Sequence, residues 1–262
     1  MELAIWGLKI FAATGGKPFV PGQPTVVFVH GAGMDHTVWT LQTRWFAHHG
    51  RNVLAVDLPG HGRSNGSPLA SIEAMADFVP ALLDAAGATD AALVGHSMGA
   101  LVALEATARH PARVRALGLL GIAATMPVHP KLLEAAAADD PAAGAMIVDW
   151  GFGVRAQIGG ATAPGAWMTG SAAQLLARSR PGVLSADLAA CNAYRGAAAA
   201  AASLACPTLY LLGSGDRMTP AKAAQPLIAA AKFAAVTILP ETGHMAMVER
   251  PDAVLDALAK IA

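Results

Sequence analysis

The sequence predicts an α/β protein in which a mostly parallel sheet carries helices on both faces and a helical insertion interrupts the chain. Strand-like and helix-like segments alternate along the sequence, and the strands are continuous apolar runs rather than apolar–polar alternations. Such runs are typical of parallel strands that are buried on both faces. A strand-free stretch from about residue 123 to residue 207 is too long for one crossover helix, which predicts the insertion.

The first half of the chain supplies most of these elements. "ELAIWGLKIFA" runs into a turn-rich stretch and predicts an opening pair of antiparallel strands. "TVVFVHG" and "RNVLAVDLPGHG" predict buried strands that break at glycine. "SIEAMADFVPALLDAAGA" has helical spacing, with Ser71 as the expected N-cap and a kink expected at Pro80. "AALVGHSMG" predicts a strand and a turn, and "ALVALEATARHPARV" predicts a helix that Pro111 ends.

Three further apolar runs complete the predicted sheet, namely "RALGLLGIA", "CPTLYLLGSGD" and "AAVTILPETGH". The helical patterns "PAKAAQPLIAAA" and "PDAVLDALAKIA" follow the last two runs. We therefore assign residues 1–122 and 191–262 to a core domain. Residues 123–190, hereafter the cap segment, form the predicted insertion. Its clearest helices are "HPKLLEAAAADDP" and "SAAQLLARSRP", and "GAAAAAASLA" after it is also a good helix former.

Size and charge restrict the classes of function. A chain of 262 residues suits one large α/β domain with an insertion. Its 18 basic and 18 acidic residues give a net charge of zero, so nothing electrostatic attracts nucleic acid or an anionic membrane. Because 54% of the residues are hydrophobic and 14% are charged, we expect a small, uncharged or mostly apolar substrate.

The sequence carries no sign of secretion, metal binding or membrane insertion. Cys191 and Cys206 are too few for a disulfide scaffold and lack metal spacing, so we expect reduced thiols. "MELAIWGLKIFAATGG" does not resemble a secretory signal, and no run reaches the roughly 18 apolar residues of a membrane span. We therefore expect a cytoplasmic protein without a metal or an organic cofactor.

The stretch "GHSMG" is the strongest chemical signal in the sequence. It follows a predicted strand and precedes a predicted helix, which is the setting in which G-x-S-x-G forms a sharp turn that exposes the serine hydroxyl. The N–H groups that begin the helix also point at this turn. Ser97 is therefore the candidate nucleophile, and a tight turn without chemistry is the alternative interpretation.

A serine hydroxyl needs a base, and the base needs an orienting acid. His244 follows the last predicted strand and Asp216 follows the strand before it, so both lie at the carboxyl edge of the sheet with Ser97. The order Ser97, Asp216, His244 is the order expected for this architecture. "GLLGIAATM", the other strand end within reach, contains no competing acid.

A tetrahedral intermediate also needs hydrogen-bond donors for its oxyanion. The backbone N–H of Met98, directly after the serine, is one candidate. The loop "HGAGMDHTVW" follows the third strand, and its Ala32 N–H is the second candidate, with Gly33 next in order. Removing one such donor typically lowers the rate by roughly 10²- to 10³-fold.

Taken together, the motifs resemble those of α/β-hydrolase-fold serine hydrolases, in particular esterases with a helical cap. The resemblance covers nearly the whole chain and rests on "HGAG" with Trp39, "DLPGHGRS", "GHSMG", "GSGD" and the late "GH". It implies a Ser97–His244–Asp216 triad and a lid formed by the insertion. Epoxide hydrolases and haloalkane dehalogenases share the layout but carry an aspartate nucleophile, and Ser97 argues against both.

Residues for the substrate pocket are suggested by bulky apolar side chains near the motifs and in the cap segment. Methionines fill irregular apolar space, and aromatic residues of a lid can line a pocket. The candidates are Met34, Trp150, Phe152, Trp167 and Met245. Four other histidine positions lack ligand spacing, and we expect surface or turn positions for His48, His49, His61 and His129.

Three functional hypotheses remain open at this level. The first is hydrolysis of a small-to-medium, mostly apolar carboxylic ester or thioester through an acyl-enzyme on Ser97. The second keeps the same triad but cleaves a lactone or a carbon–carbon bond of a ring-cleavage product, for which a cap arginine could bind an acidic group. The third is a receptor of the same fold that binds a small molecule without turnover. Monomer and homodimer stay equally open.

Overall fold

The computed structural model describes residues 1–262, and its eight strands form one sheet. The strands are β1 (Glu2–Ile5), β2 (Leu8–Ala13), β3 (Thr25–Val29), β4 (Asn52–Val56), β5 (Ala91–His96), β6 (Val114–Leu120), β7 (Thr208–Gly213) and β8 (Ala234–Leu239). Their spatial order is β1-β2-β4-β3-β5-β6-β7-β8. β1 pairs antiparallel with β2 and β2 with β4, whereas all other pairs are parallel. The predicted opening pair and mostly parallel sheet are confirmed.

Twelve α-helices accompany the sheet. They are α1 (Thr40–His48), α2 (Ile72–Ala86), α3 (Met98–Arg109), α4 (Pro130–Ala137), α5 (Ala142–Gly151), α6 (Val154–Gln157), α7 (Met168–Ala177), α8 (Val183–Ala193), α9 (Ala197–Ser203), α10 (Gln225–Ala230), α11 (Ala246–Glu249) and α12 (Pro251–Leu258). None of them combines the length and the apolar character that crossing a membrane requires.

The side chains of the sheet alternate between two apolar layers because successive residues of a strand face opposite sides. On β3, for example, Val27 and Val29 belong to one cluster of buried side chains, and Val26 and Phe28 belong to the other. Helices α2, α3, α9 and α10 cover the first face, while α1, α11, α12 and the cap segment cover the second. Burial on both faces is why the strands read as uninterrupted apolar runs.

Local signals predicted α2, α3, α4, α7, α9, α10 and α12, but they missed α1 and α11 and did not locate α5, α6 and α8. Ser71 caps α2 as expected, since its hydroxyl accepts the N–H of Ala74 at 3.1 Å. Pro80 lies within α2, which continues through it. Helix α1 was not predicted because its buried face includes Gln42 and Thr43 as well as apolar residues, so no apolar stripe marks it.

The cap segment holds four complete helices, α4 to α7, and most of α8. The proposed boundary at residue 190 falls inside α8, which ends at Ala193. Helix α9, formed by the alanine run, packs against α3 rather than over the sheet edge. Cys191 and Cys206 are buried free thiols, consistent with the expectation of reduced cysteines.

Candidate active site

Ser97 lies in the tight turn between β5 and α3. Its backbone has φ 55° and ψ −118°, a conformation that costs a non-glycine residue on the order of 1–3 kcal/mol. A Cβ at Gly95 would lie 2.0 Å from the carbonyl oxygen of Gly99, and a Cβ at Gly99 would lie 2.3 Å from that of Val29. Only glycine fits at positions 95 and 99, so the "GHSMG" pattern is a steric requirement of this turn.

Asp216 and His244 meet in the loops that follow β7 and β8. The Nδ1 atom of His244 lies 2.8 Å from Oδ2 of Asp216, and both side chains are buried. The other carboxylate oxygen, Oδ1, accepts the N–H groups of Met218 at 2.9 Å and Thr219 at 2.8 Å. The Thr219 hydroxyl donates to Oδ2 at 2.7 Å. Asp216 therefore has a hydrogen-bond partner on each oxygen.

The charge of this pair follows from its surroundings. Burial favours the neutral acid, but electrostatic attraction to the His244 ring, its hydrogen bond and the bonds from Thr219 outweigh burial and lower the pKa of Asp216. A carboxylate can only accept hydrogen bonds, so it holds the proton of His244 on Nδ1. The opposite ring nitrogen, Nε2, is buried and has no hydrogen-bond partner. It is free to accept a proton.

Ser97 and His244 line the same cavity, which has a volume of about 320 Å³. No hydrogen bond joins Nε2 of His244 to Ser97 in the structure, and such bonds often tighten only when substrate binds. The walls of the cavity are mostly apolar, with His129 and Arg217 as polar contributors. The apolar wall residues are Ala32, Met34, Met126, Val128, Leu132, Ile147, Trp150, Leu188, Cys191 and Met218.

Two backbone N–H groups beside Ser97 were predicted to bind an oxyanion. Ala32 lines the cavity, and its N–H donates to no other group of the chain, although the next two residues both donate hydrogen bonds. Met98 begins α3 directly after Ser97, and the first N–H groups of a helix have no partner within it. The Met98 side chain is buried away from the cavity.

The predicted pocket residues divide into two groups. Met34 and Trp150 line the Ser97 cavity. Phe152 and Met245 do not line it, because both turn toward a separate apolar cavity of about 160 Å³ between the cap segment and the core. Trp167 does not line it either: the residue is 72% exposed, and its ring lies over Gly170 in the first turn of α7, which Trp167 precedes. Sequence position could not give these directions, because the packing of the cap segment sets them.

Expectations for the remaining histidines need one correction, at His61. His48, His49 and His129 are exposed, as expected, and His129 also lines the Ser97 cavity. His61 is buried and lies 2.8 Å from a carboxylate oxygen of Asp187, so it is neither a surface residue nor a simple turn residue.

Three residues that sequence analysis missed hold the site in place. Thr219 bonds to Asp216 and lies 3.0 Å from Nδ1 of His244. His96 places its Nε2 atom 3.0 Å from the carbonyl oxygen of His244, and burial, followed by the nearby His244, lowers its pKa well below the ordinary value, so the ring is neutral. Glu249 accepts the N–H of Gly243 in the His244 loop and the N–H of Gly153 in the cap segment. The only signal for Thr219 was its position three residues after Asp216.

One group of side chains has the composition of a metal site. Asp35, His36 and Asp57 bring their ligand atoms within 4.8 Å of one another. The chain itself already occupies these atoms: Asp57 Oδ1 accepts from the ring and the N–H of His36, and its Oδ2 accepts from the N–H of Arg63. Both oxygens of Asp57 therefore have hydrogen-bond donors from the chain. The role of this cluster is to hold the loop after β3 in place.

The fold, the serine turn and the histidine–aspartate pair at one sheet edge define a hydrolase of the α/β-hydrolase class. The family model described as the alpha/beta hydrolase family matches residues 26–257, and the chain belongs to this family. The earlier resemblance is thereby confirmed for the fold and the family.

Individual relatives agree with this assignment. The chain is 29% identical over 97% of its length to the pimeloyl-[acyl-carrier protein] methyl ester esterase of Chromobacterium violaceum, 98% of which is covered. It is 38% identical to the dihydrolipoyllysine-residue acetyltransferase component of the acetoin cleaving system of Cupriavidus necator, but over 44% of this chain and 29% of that protein. Several curated relatives are likewise matched over less than half of their length. A thermophilic esterase of known structure superposes with a TM-score of 0.80 at 25% identity, covering 99% of this chain and 95% of that one.

Proposed function

We propose that this protein is a serine hydrolase in which Ser97, His244 and Asp216 form a catalytic triad. One observation carries the proposal: the imidazole of His244 is held by Asp216 through Nδ1 at 2.8 Å while its Nε2 has no partner. This is the arrangement that a general base for Ser97 requires. The strained turn at Ser97 supports the same assignment, since such strain is typical of the nucleophile in this motif.

The proposed reaction proceeds through an acyl-enzyme. Nε2 of His244 takes the hydroxyl proton as Oγ of Ser97 bonds to the acyl carbon, and the carbonyl oxygen becomes an oxyanion held by the N–H groups of Ala32 and Met98. The alcohol or thiol leaves with the proton from His244. Water then attacks the acyl carbon by the same route, which releases the acid and returns the proton to Ser97. No metal or organic cofactor enters these steps.

The substrate class we propose is a small-to-medium, mostly apolar carboxylic ester or thioester. The support is the apolar wall of the 320 Å³ cavity, which suits a short or medium acyl chain. Similarity to an ester-cleaving relative along almost the whole chain supports an ester bond. Within this proposal, Met34 and Trp150 contact the acyl or alcohol group.

The decisive experiment replaces the nucleophile. We expect Ser97→Ala to abolish turnover of p-nitrophenyl esters and labelling by a fluorophosphonate, with the thermal unfolding temperature unchanged. The matched control is Ser203→Ala, which removes an exposed serine hydroxyl from the end of α9. Full activity or labelling of Ser97→Ala would refute the nucleophile assignment. Tight binding of an apolar ligand by a wild-type protein that is never labelled would favour the ligand-binding alternative.

Arg217 favours a second candidate function. It is the only arginine or lysine that lines the Ser97 cavity, and its side chain is 57% exposed and 3.7 Å from Asp149. A cation at this position could bind the carboxylate of a lactone or of a ring-cleavage product, with the same triad acting on the bond. Turnover of a p-nitrophenyl ester series alongside a lactone and a vinylogous diketo acid separates the two candidates.

A further inference from the structure

A fully buried carboxylate joins the cap segment to the candidate oxyanion loop. Asp187 lies on α8 and is 0% exposed. Its Oδ2 atom accepts the backbone N–H of Gly33 at 2.8 Å and faces Nε2 of His61 at 2.8 Å. Gly33 directly follows Ala32, whose N–H is the proposed oxyanion donor. The carboxylate thus holds the peptide unit next to that donor.

His61 supplies the positive charge that balances this carboxylate. Its Nδ1 atom lies 3.1 Å from the carbonyl oxygen of Pro59, and its Nε2 faces Asp187. Both partners are acceptors only, so both ring nitrogens carry protons. The ring of His30 lies 4.7 Å away and stays neutral, since burial and then the charge of His61 lower its pKa to about 4.

Other charged and titratable groups around the pair are few. Asp57 acts on both His61 and His30 through space, and the Cys191 thiol lies near Asp187. The guanidinium of Arg180 donates to the carbonyl oxygens of the residues that flank Arg63. Burial acts against the charged His61 ring, but the hydrogen bond and charge of Asp187 outweigh it and raise the pKa of His61.

The packing around Gly33 shows that the cap segment presses directly on the oxyanion loop. Gly33 has φ +67°, and a Cβ at this position would lie 2.8 Å from Cδ1 of Leu184 and 3.4 Å from Cδ2 of Leu176. Both leucines belong to the cap segment. The loop is therefore held from one side by a hydrogen bond to Asp187 and by apolar contact with α7 and α8.

We propose that Asp187 is a positioning residue for the oxyanion hole, holding Gly33 so that the N–H of Ala32 points to the acyl oxygen at Ser97. The inference rests on the proposed function. Because Asp187 belongs to the cap segment, the oxyanion hole is complete only when the cap segment is seated on the core. Displacing the cap segment releases Gly33 and removes the donor geometry of Ala32.

Stability alone does not account for the pair. Replacing a buried ion pair by apolar side chains is often neutral or stabilising, because burial of two charges is unfavourable. The second oxygen of Asp187 is buried without a hydrogen-bond partner, which makes the burial less favourable still. The contact with Gly33 is what apolar replacements cannot provide.

The test compares an apolar and a conservative replacement in the full-length protein. Asp187→Leu with His61→Leu removes both charges and the acceptor for Gly33. We expect kcat for a p-nitrophenyl ester to fall by about 10- to 100-fold, with KM changed less than about threefold, because the lost interaction acts on the transition state. Asp187→Asn keeps an oxygen that can accept from Gly33, and we expect it to retain more of kcat than the double variant.

A second readout separates positioning from general structural damage. A trifluoromethyl ketone of matched chain length forms a tetrahedral adduct with a reactive serine, whereas the carboxylic acid product binds without one. We expect the affinity of the ketone to fall in proportion to kcat/KM and the affinity of the acid to stay unchanged. The control Glu134→Ala removes an exposed carboxylate from α4 of the cap segment and leaves both affinities unchanged.

The outcomes distinguish this inference from the proposed function. A folded double variant with wild-type kcat, or equal losses for ketone and acid, would overturn the role of Asp187. A wild-type protein that neither hydrolyses esters nor reacts with a fluorophosphonate would overturn the proposed function instead. If the double variant fails to fold, Asp187→Ala gives the same comparison, and an unchanged kcat in that variant overturns the inference.

Discussion

At the scale of single residues, the two oxygens of Asp216 have different hydrogen-bond partners. This difference predicts what happens when the carboxylate is replaced by the amide of asparagine. In Asp216→Asn, the N–H groups of Met218 and Thr219 hold the amide oxygen at the Oδ1 position. The amide nitrogen is then directed toward Nδ1 of His244. Nδ1 must accept that hydrogen bond, the ring proton moves to Nε2, and Nε2 can no longer take the proton of Ser97. We expect kcat to fall about 10⁴-fold in an ester assay.

The control for this prediction is Asp252→Asn, which changes an exposed aspartate in the first turn of α12. It removes the same charge from the chain, and we expect wild-type kcat. A loss of less than tenfold in Asp216→Asn would mean that another group orients His244. The neighbouring Thr219 hydroxyl, 3.0 Å from Nδ1, is the group to replace next.

From the sequence alone, a residue could be placed in the fold where its position relative to a strand fixes its location. Ser97, Asp216 and His244 each follow a strand, and parallel strands deliver their carboxyl ends to one edge of the sheet. The directions of Phe152 and Trp167 had no such constraint. They depend on how short helices of the cap segment pack on one another, which no local pattern records.

At the scale of elements, the loops that carry the candidate site are tied to the cap segment by backbone hydrogen bonds. The N–H of His244 donates to the carbonyl oxygen of Gly151 at 2.7 Å. A Cβ at Gly243 would lie 2.3 Å from the backbone nitrogen of Gly153, so only glycine allows this approach. Glu249 completes the link by accepting the N–H groups of Gly243 and Gly153 at 3.0 and 3.1 Å.

Glu249→Gln tests this link. The carboxylate of Glu249 faces backbone donors with both oxygens, and an amide would bring its own N–H₂ group against one of those donors. An unsatisfied buried donor costs about 1–3 kcal/mol. We expect the free energy of unfolding, measured with urea, to fall by that amount. This side chain is buried, and burial raises the pKa of its carboxyl group.

The matched control is Glu134→Gln on the exposed surface of α4, for which we expect no change in the urea midpoint. If Glu249→Gln were as stable as the wild type, the two backbone N–H groups would have found other acceptors. The link between the His244 loop and the cap segment would then be weaker than the hydrogen bonds suggest.

The elements that were evident in the sequence are those with a continuous apolar run or a clear apolar stripe. The five central parallel strands, β3 to β7, are apolar on both faces and were evident in the sequence. Helix α1 was missed because Gln42 and Thr43 occupy its buried side. The buried Gln42 amide donates a hydrogen bond to the carbonyl oxygen of Met247. Local sequence patterns do not reveal this long-range contact.

At the scale of the whole molecule, the cap segment is held to the core on both sides of the Ser97 cavity. On one side Gly151 and Gly153 bond to the His244 loop and Glu249. On the other side Asp187 bonds to the oxyanion loop and to His61. The sequence predicted a cap over the site but not these contacts, because His61 was expected at a surface or turn position and no pattern marked Asp187.

The raised pKa of His61 makes part of the stability of this arrangement depend on pH. Burial alone would lower the pKa, but the hydrogen bond and charge of Asp187 raise it above the ordinary 6.5. The folded protein therefore binds this proton more tightly than the unfolded chain does. The resulting stabilisation is complete below about pH 6.5 and is lost as the pH rises through the folded pKa. His30 and His96, whose pKa values are lowered, act in the opposite direction.

We therefore expect the stability difference between the wild type and His61→Asn to shrink as the pH rises. Asparagine can still donate to Asp187 but does not titrate, so subtracting its free energy of unfolding removes the contributions of groups that His61 does not influence. Burial, the larger cause of the lowered His30 pKa, acts in both proteins. Urea unfolding between about pH 5.5 and 9 measures this difference, and each unit by which the pKa is raised corresponds to about 1.36 kcal/mol. The matched control is His48→Asn, which makes the same replacement at an exposed histidine at the end of α1. A constant difference for His61→Asn, or one that grows with pH, would mean that Asp187 does not hold a charged His61 ring in the folded protein.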